Sequence, residues 1–172
     1  EIEILCSWNG LPKDESKIIN KSGYEFLIAK RDSYHFAKNM NSLAEVANGD
    51  FFLLINDDVI LDKSSLDSAI QCLEQEPHAG LVGGRLRDNN QKLIHAGIIF
   101  DRKDSPYHQL SRLIDANSEL VLGLNTIVPA VTGALMLLKG SIFRSIKFNE
   151  TFKVCGEDIE LCLDLREKLD LE

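Results

Sequence analysis

The sequence predicts an α/β fold, a three-layer sandwich with a mostly parallel central sheet, and three observations support this. Strand-like and helix-like segments alternate through the first half of the chain in the order β, β, α, β, α. The run at 51–55 is apolar on both faces, which is typical of a central strand covered by helices on both sides. A length of 172 residues suffices for one domain with a buried core.

The first half of the chain supplies the alternating elements. Short runs that favour β-structure predict a first strand at 2–5 and a second at 24–29. From Ser33 the apolar residues return at helical spacing, so a helix is predicted that ends before Asn48-Gly49. After the strand at 51–55, Ser64 and Ser65 are candidate caps of a second helix, which stops at Pro77.

The second half of the chain is richer in strands. Residues 80–85 and 92–100 predict two strands, and the intervening Asp88-Asn89-Asn90 is typical of a hairpin turn. The polar stretch 101–118 is predicted to be a loop. Residues 126–138 predict a further strand-rich region, bent or partly at an edge because it contains proline and glycine.

Composition and charge exclude several classes of function. The chain has 27 acidic and 19 basic residues and a net charge of −8, which argues against nucleic acid as a partner. No apolar run approaches the roughly 20 residues of a transmembrane helix, so the sequence predicts no transmembrane segment in this chain and a cytoplasmic location. Four cysteines without metal-ligand spacing are interpreted as reduced core residues: Cys6, Cys72, Cys155 and Cys162.

The first candidate for chemistry is Asn56-Asp57-Asp58, directly after the strand at 51–55. Ligands of open α/β sheets gather beyond the carboxyl ends of the strands. Two adjacent carboxylates repel each other unless a cation or hydrogen-bond donors neutralise them, and Mg²⁺ or Mn²⁺ prefers such oxygen ligands. An acidic turn that caps the next element is the alternative reading.

The second candidate is Gly156-Glu157-Asp158, at the start of a final helix predicted at about 157–168. A carboxylate here can accept a proton from an attacking hydroxyl. The alternative is structural, because acidic side chains in a first turn are favoured by the helix dipole. The functional reading requires that the two acidic clusters face one cleft.

Four segments occur in an order and spacing that resemble the family 2 glycosyltransferases: 36–50, 51–59, 131–134 and 152–162. The resemblance covers nearly the whole chain. It implies a nucleotide-diphospho-sugar transferase-like fold. It also implies metal-dependent, inverting transfer of a sugar from a nucleotide-diphosphate donor to a hydroxyl of a saccharide or lipid-linked acceptor.

The resemblance implies a role for each acidic residue. Asp58 is expected to bind the metal, Mn²⁺ or Mg²⁺, while Asp57 and Asn56 lie at the donor nucleotide. Asp158 is expected to be the general base, and Glu157 to help position the acceptor.

Two further expectations come from the same resemblance. Residues 131–134 are expected to line the acceptor side of the site. His35 lies in the stretch that approaches the nucleotide in some relatives, although a histidine at a helix start also serves as a cap.

The chain also departs from the family pattern. The family's first strand and helix have no counterpart before Glu1, and Trp8 stands where many relatives carry an aspartate that reads the base. Residues 1–170 are therefore interpreted as a partial catalytic domain, inactive or weakly donor-binding alone, and 171–172 as a cloning remnant. The parent enzyme is expected in the cytoplasm or at the inner face of the membrane.

Two other functions remain open from the sequence. A nucleotidyltransferase would also use carboxylates and Mg²⁺ on an α/β sheet, but should show a basic, glycine-rich phosphate loop. A non-catalytic nucleotide-sugar or carbohydrate-binding module would keep the fold without turnover.

Overall fold

The computed structural model describes residues 1–30, 33–121, 123 and 125–172. The strands in these residues are β1 (Glu3–Ser7), β2 (Glu25–Lys30), β3 (Phe51–Ile55), β4 (Leu81–Gly83), β5 (Leu86–Arg87), β6 (Leu93–His95), β7 (Ile98–Phe100), β8 (Pro106–His108) and β9 (Leu135–Lys139). The α-helices are α1 (Phe36–Val46), α2 (Ser65–Gln75), α3 (Gly140–Ile146) and α4 (Glu157–Leu169), and a 3-10 helix covers Pro12–Lys17.

The core is built on a three-stranded sheet in the order β3-β9-β4. The middle strand, β9, is antiparallel to both neighbours, with Leu53 paired to Leu137 on one side and Val82 paired to Leu137 on the other. Met136 and Leu138 of β9 are 0% exposed. Hydrogen bonding on both edges and burial of these side chains make β9 the centre of the molecule.

The prediction of a three-layer sandwich with a mostly parallel central sheet is wrong. Among the described residues, β1 and β2 pair in parallel, whereas the β3-β9-β4, β5-β6 and β7-β8 sheets are antiparallel. β3 and β4 do run in the same direction, but β9 lies between them and opposes both. Apolarity of Phe51–Ile55 did not mark the central strand, because only Phe52 and Leu54 of β3 are buried.

The second half of the chain confirms the hairpin and corrects its limits. β5 and β6 pair across the turn at 88–90, so the first hairpin strand is Leu86–Arg87 rather than 80–85. The stretch 92–100 divides into β6 and β7 at Gly97, whose φ of 108° is left-handed. The stretch 101–118 contains β8, and 126–138 is strand only from Leu135 onward.

An aromatic cluster joins the helices to the sheet. The ring of Phe148 lies 5.4 Å from that of Phe36 and 5.3 Å from that of Phe143, measured between centroids. Phe52 of β3 meets Phe143 edge to face at 6.2 Å. These contacts pack α1 and α3 on one face of the three-stranded sheet.

The pair β1-β2 forms a separate small sheet, which contacts helix α1 and is joined to the start of β3 by the Glu3 side chain. The carboxylate of Glu3 accepts hydrogen bonds from the backbone amides of Asn48 and Gly49, just before β3. The Asn48 side-chain amide also donates to it, at 3.3 Å. Because these are the residues that lead into β3, Glu3 fixes the start of β1 beside the start of β3.

All four cysteines lie in the described part of the chain and are free thiols. Cys162 is buried and Cys6 and Cys72 are half-buried, but Cys155 is exposed, so its interpretation as a core residue is wrong. Among the described residues, no helix combines the length and the apolar character needed to cross a membrane.

Candidate active site

Asn56-Asp57-Asp58 forms a turn at the carboxyl end of β3. The backbone amide of Asn56 donates to the carbonyl of Ala134 at 3.1 Å, which extends the pairing of β3 with β9 by one residue. The turn closes where the amide of Val59 donates to the Asn56 carbonyl at 3.2 Å. Asp57 and Asp58 are exposed, and neither carboxylate has a hydrogen bond or ion pair with another described residue.

Cys6, near the end of β1, senses the charge of this turn. Burial raises the pKa of the Cys6 thiol, and the negative charge of Asp57 raises it further. Charge acts on a thiol in this way only over a short distance. Cys6 of β1 therefore lies within electrostatic range of the acidic turn.

The second acidic cluster opens helix α4. Gly156 precedes the helix with a left-handed φ of 107°, and a Cβ there would lie 2.8 Å from the Phe152 ring. This close contact and φ value favour glycine at the helix start. Glu157 is only 7% exposed, and its Oε2 is buried with no hydrogen-bond partner among the described residues.

The Asp158 carboxylate is held by two backbone amides. Its Oδ1 accepts from the amide of Ile159 at 2.9 Å, and its Oδ2 accepts from the amide of Gly133 at 2.9 Å. A Cβ on Gly133 would lie 2.9 Å from the Phe36 ring and 3.5 Å from the Asp158 Cβ. Glycine at 133 therefore allows the backbone to lie against the Phe36 ring, while the distance to Asp158 is an ordinary van der Waals contact.

The segment 132–134 connects the two acidic clusters. Gly133 donates to Asp158, and the next residue, Ala134, accepts from Asn56. Neighbouring residues of one segment thus contact the turn after β3 and the start of α4. The two clusters, far apart in the sequence, therefore both contact this short segment.

The other predicted site residues have mixed placements. His35 is the N-cap of α1, and its Nδ1 accepts from the amide of Lys38 at 3.3 Å, which is the capping alternative of the sequence analysis. Of the segment 131–134, Val131 is buried in the core, whereas Thr132 is partly exposed.

The part of the chain that the structure describes does not form a three-ligand metal site. Among the described residues, no group of three or more histidine, cysteine, aspartate or glutamate side chains could hold a metal ion. Asp57 and Asp58 can still supply one or two carboxylates, which is what Mg²⁺ usually takes from a protein when phosphates and water complete its coordination.

A cavity of about 350 Å³ lies away from the acidic clusters, between α2 and the three-stranded sheet. Leu53 and Val82 are among its apolar lining residues, and neither Asp58 nor Asp158 lines it. At its rim Arg87 forms a bidentate ion pair with Asp62, with nitrogen-to-oxygen distances of 2.5 and 2.6 Å.

Sequence reasoning missed two features of the site. It did not identify the Gly133 amide as the partner of Asp158, because every residue except proline has a backbone N–H and the residue type does not show which one donates. Nor did it identify Nε2 of His95, a residue that is 1% exposed, as the acceptor for the Thr132 amide at 3.3 Å. A histidine inside the apolar run 93–99 was the signal available, since buried polar groups require hydrogen-bond partners.

The chain is similar to two curated proteins, and no family model matches it. It is 32% identical over 130 residues to the O-antigen biosynthesis protein RfbC of Myxococcus xanthus, which is 73% of this chain and 10% of that protein. It is 28% identical over 137 residues to the uncharacterized protein y4gI of Sinorhizobium fredii, which is 77% of this chain and 15% of that protein. The chain therefore spans a small part of the length of both relatives.

Proposed function

We propose that the full-length protein transfers a sugar from a nucleotide-diphosphate donor to an acceptor hydroxyl, as the resemblance to family 2 glycosyltransferases implies. The observation that carries the proposal is that the segment 132–134 makes backbone hydrogen bonds with both clusters: the Gly133 amide donates to Asp158, and the Ala134 carbonyl accepts from the Asn56 amide. A relative named for O-antigen biosynthesis supports a role with sugars. The relatives give no information on the donor or the acceptor.

The turn after β3 is proposed to hold the donor diphosphate. Asp58 and Asp57 are exposed, adjacent and without partners among the described residues, so their charges are available to a cation. Mn²⁺ or Mg²⁺ bound there would neutralise negative charge on the departing diphosphate. Asn56 is fixed by its bond to Ala134 and would orient this turn toward the nucleotide.

Asp158 is proposed to be the general base. Its two backbone hydrogen bonds hold the carboxylate in one orientation, as a positioned base requires. The acceptor O–H bond breaks and its proton moves to Asp158, while the acceptor oxygen bonds to the anomeric carbon. The bond from that carbon to the diphosphate breaks with its electron pair, so in-line attack inverts the configuration.

Glu157 is proposed to position the acceptor. An unpaired, buried carboxylate oxygen is costly unless a ligand completes its hydrogen bonding, and Glu157 Oε2 is such an atom among the described residues. A sugar hydroxyl could donate to it. Its position beside Asp158 would then hold the reacting hydroxyl near the base.

Asp58→Asn and Asp158→Asn in the full-length protein test the proposal. Release of nucleoside diphosphate from UDP-, GDP- and dTDP-sugars is measured with and without Mn²⁺. Each substitution is expected to lower turnover by about 100-fold or more, because neither amide can replace a negatively charged carboxylate. Stabilisation of the protein by Mn²⁺ with donor, measured as a Tm shift, should be lost in Asp58→Asn and kept in Asp158→Asn.

Asp104→Asn, in an exposed turn, is the control and should retain full turnover. Unchanged turnover in both site variants would contradict the proposal. Donor binding by the full-length protein without turnover would instead indicate a non-catalytic binding module. Stabilisation by nucleoside triphosphates alone would favour a nucleotidyltransferase.

A further inference from the structure

His95 is a buried histidine at the end of β6 with hydrogen bonds on both ring nitrogens. The residue is 1% exposed. Its Nε2 lies 3.3 Å from the backbone amide nitrogen of Gly97 and 3.3 Å from that of Thr132. Because a backbone amide can only donate, His95 Nε2 is an acceptor and carries no proton.

The other ring nitrogen of His95 faces a second histidine. Its Nδ1 lies 2.8 Å from Nδ1 of His108, and the two rings meet edge to face with centroids 4.9 Å apart. A neutral imidazole has one N–H, so the proton of His95 is on Nδ1 and is donated to His108. His108 must then carry its own proton on Nε2, and the contacts fix the tautomers of both rings.

This histidine pair connects a surface hairpin to the segment 132–134. His108 ends β8, which pairs with β7, and Ile98 of β7 exchanges backbone hydrogen bonds with Ala130 at 2.7 and 3.4 Å. Thr132, which donates to His95, is followed by Gly133, which donates to Asp158. A continuous set of contacts therefore runs from His108 through His95 to the amide that holds Asp158.

We propose that His95, oriented by His108, is a positioning residue that holds the Thr132 and Gly133 amides in place for Asp158; its catalytic consequence rests on the function proposed above. His95 does not touch Asp158 among the contacts of the structure. It fixes the backbone on one side of that carboxylate, in the way that outer hydrogen bonds orient the ligands of a metal. Removing the acceptor at Nε2 frees Thr132 and lets Gly133 move away from Asp158.

The test compares His95→Gln, which can keep an acceptor near the Nε2 position, with His95→Leu, which has none. The first readout is hydrogen exchange of the Thr132 and Gly133 amides in this chain, which requires no turnover. His95→Leu is expected to accelerate exchange of both amides by 10-fold or more, and His95→Gln to restore most of the protection. His78→Leu, at an exposed position, is the matched control and should leave both rates unchanged.

The second readout is steady-state kinetics of the full-length protein. His95→Leu is expected to lower kcat by about 10- to 100-fold, the range typical of lost outer-shell hydrogen bonds, with donor KM nearly unchanged. His95→Gln should recover most of this loss. Recovery by an acceptor side chain distinguishes positioning from a general packing defect, which glutamine would not repair.

His108→Leu provides a second variant if His95→Leu does not fold, because His108 is exposed. It removes the acceptor that fixes the His95 tautomer, and faster exchange of the Thr132 amide is expected. Unchanged exchange in the folded His95→Leu or His108→Leu variant would overturn the inference, as would equal damage by leucine and glutamine at 95. If Asp158→Asn leaves transfer unchanged, the proposed function fails, while the exchange rates still decide the role of His95.

Discussion

Gly133 has no room for a side chain, because a Cβ there would lie 2.9 Å from the Phe36 ring. Gly133→Ala is expected to lower the free energy of unfolding by about 1 to 3 kcal/mol, the usual cost of overpacking a core. It should also weaken the amide contact to Asp158. Urea unfolding and turnover of the full-length protein measure the two effects.

The double variant Phe36→Leu with Gly133→Ala identifies the clash as the cause. If the ring and the new methyl group collide, the two substitutions together should cost less than the sum of the single costs. If the costs of the two substitutions in unfolding free energy simply add, the Phe36 ring is not the cause of the destabilisation by Gly133→Ala.

His95 makes the stability of the fold depend on pH. Burial, followed by the nearby charge of His108, lowers the pKa of His95 from 6.5 to about 4. The unfolded chain therefore binds a proton before the folded chain does as the pH falls. The stability is greatest above pH 6.5 and declines between pH 6.5 and 4, by about 3 kcal/mol from this group alone.

Unfolding by urea at a series of pH values measures this dependence. His95→Gln is expected to remove the decline between pH 6.5 and 4, because glutamine does not titrate. His78→Gln, exposed in the described structure, serves as the control and should retain it. A His95→Gln profile as steep as the unsubstituted one would refute this assignment.

At the scale of elements, Asn41 fastens α1 to the segment after α3. Its Oδ1 accepts from the Phe148 amide and its Nδ2 donates to the Phe148 carbonyl, both at 2.9 Å in a buried setting. Asn41→Ala leaves both backbone groups without these partners. The expected loss is about 2 to 4 kcal/mol of unfolding free energy.

Urea unfolding of Asn41→Ala against Asn90→Ala checks this prediction. Asn90 is exposed, so its substitution should change the unfolding free energy by less than about 0.5 kcal/mol. Equal, small effects in the two variants would mean that water replaces the buried partners of Phe148.

Local elements were predicted from the sequence better than their pairing. The strand at 51–55 was located to the residue, and the first two helices and the last were found with small boundary shifts, because periodicity and capping signals are local. The position of β9 between β3 and β4 depends on contacts between residues far apart in the chain. Helix α3 was not predicted, because it follows directly after the apolar, strand-like run of β9.

In the candidate site too, local features were predicted from the sequence and long-range contacts were not. Both acidic clusters were located from residue types and spacing, and the structure brings them to one segment. The backbone groups that hold Asp158 and Asn56 in that arrangement are the Gly133 amide, which donates to Asp158, and the Ala134 carbonyl, which accepts from Asn56. Side-chain identity carries little information on such contacts, so they could not be derived from sequence.

The whole molecule consists of a well-packed antiparallel core and a less protected parallel pair of strands. β9 has hydrogen-bonded neighbours on both edges, whereas β1 and β2 pair with each other and every residue of β1 is partly exposed. Amides of β9 are therefore expected to exchange slowest and those of β1 and β2 much faster.

Glu3 couples these two parts, and Glu3→Ala tests the coupling. The Asn48 amide lowers the pKa of the Glu3 carboxyl below 4.5, with help from the Asn48 side chain and the Gly49 amide. The ionised form thus contributes stability above pH 4.5 that is lost as the pH falls through the lowered pKa. Glu3→Ala should accelerate exchange in β1 and β2 but not in β9.

Glu1→Ala removes an exposed carboxylate two residues earlier and is the control. Uniform acceleration across all strands would show that the two sheets unfold as one unit. In the unsubstituted protein, amide exchange in β1 and β2 as slow as in β9 would also show that the two sheets unfold together.

The central place of β9 has a consequence for synthesis on the ribosome. Leu135, the partner of Ile55, is made long after β3 has left the exit tunnel. Until then β3 and β4 have unpaired edges and uncovered apolar side chains, which favours capture by chaperones or self-association of the nascent chain. A stop codon after β4 and before residue 135 should therefore yield aggregates rather than a smaller folded product.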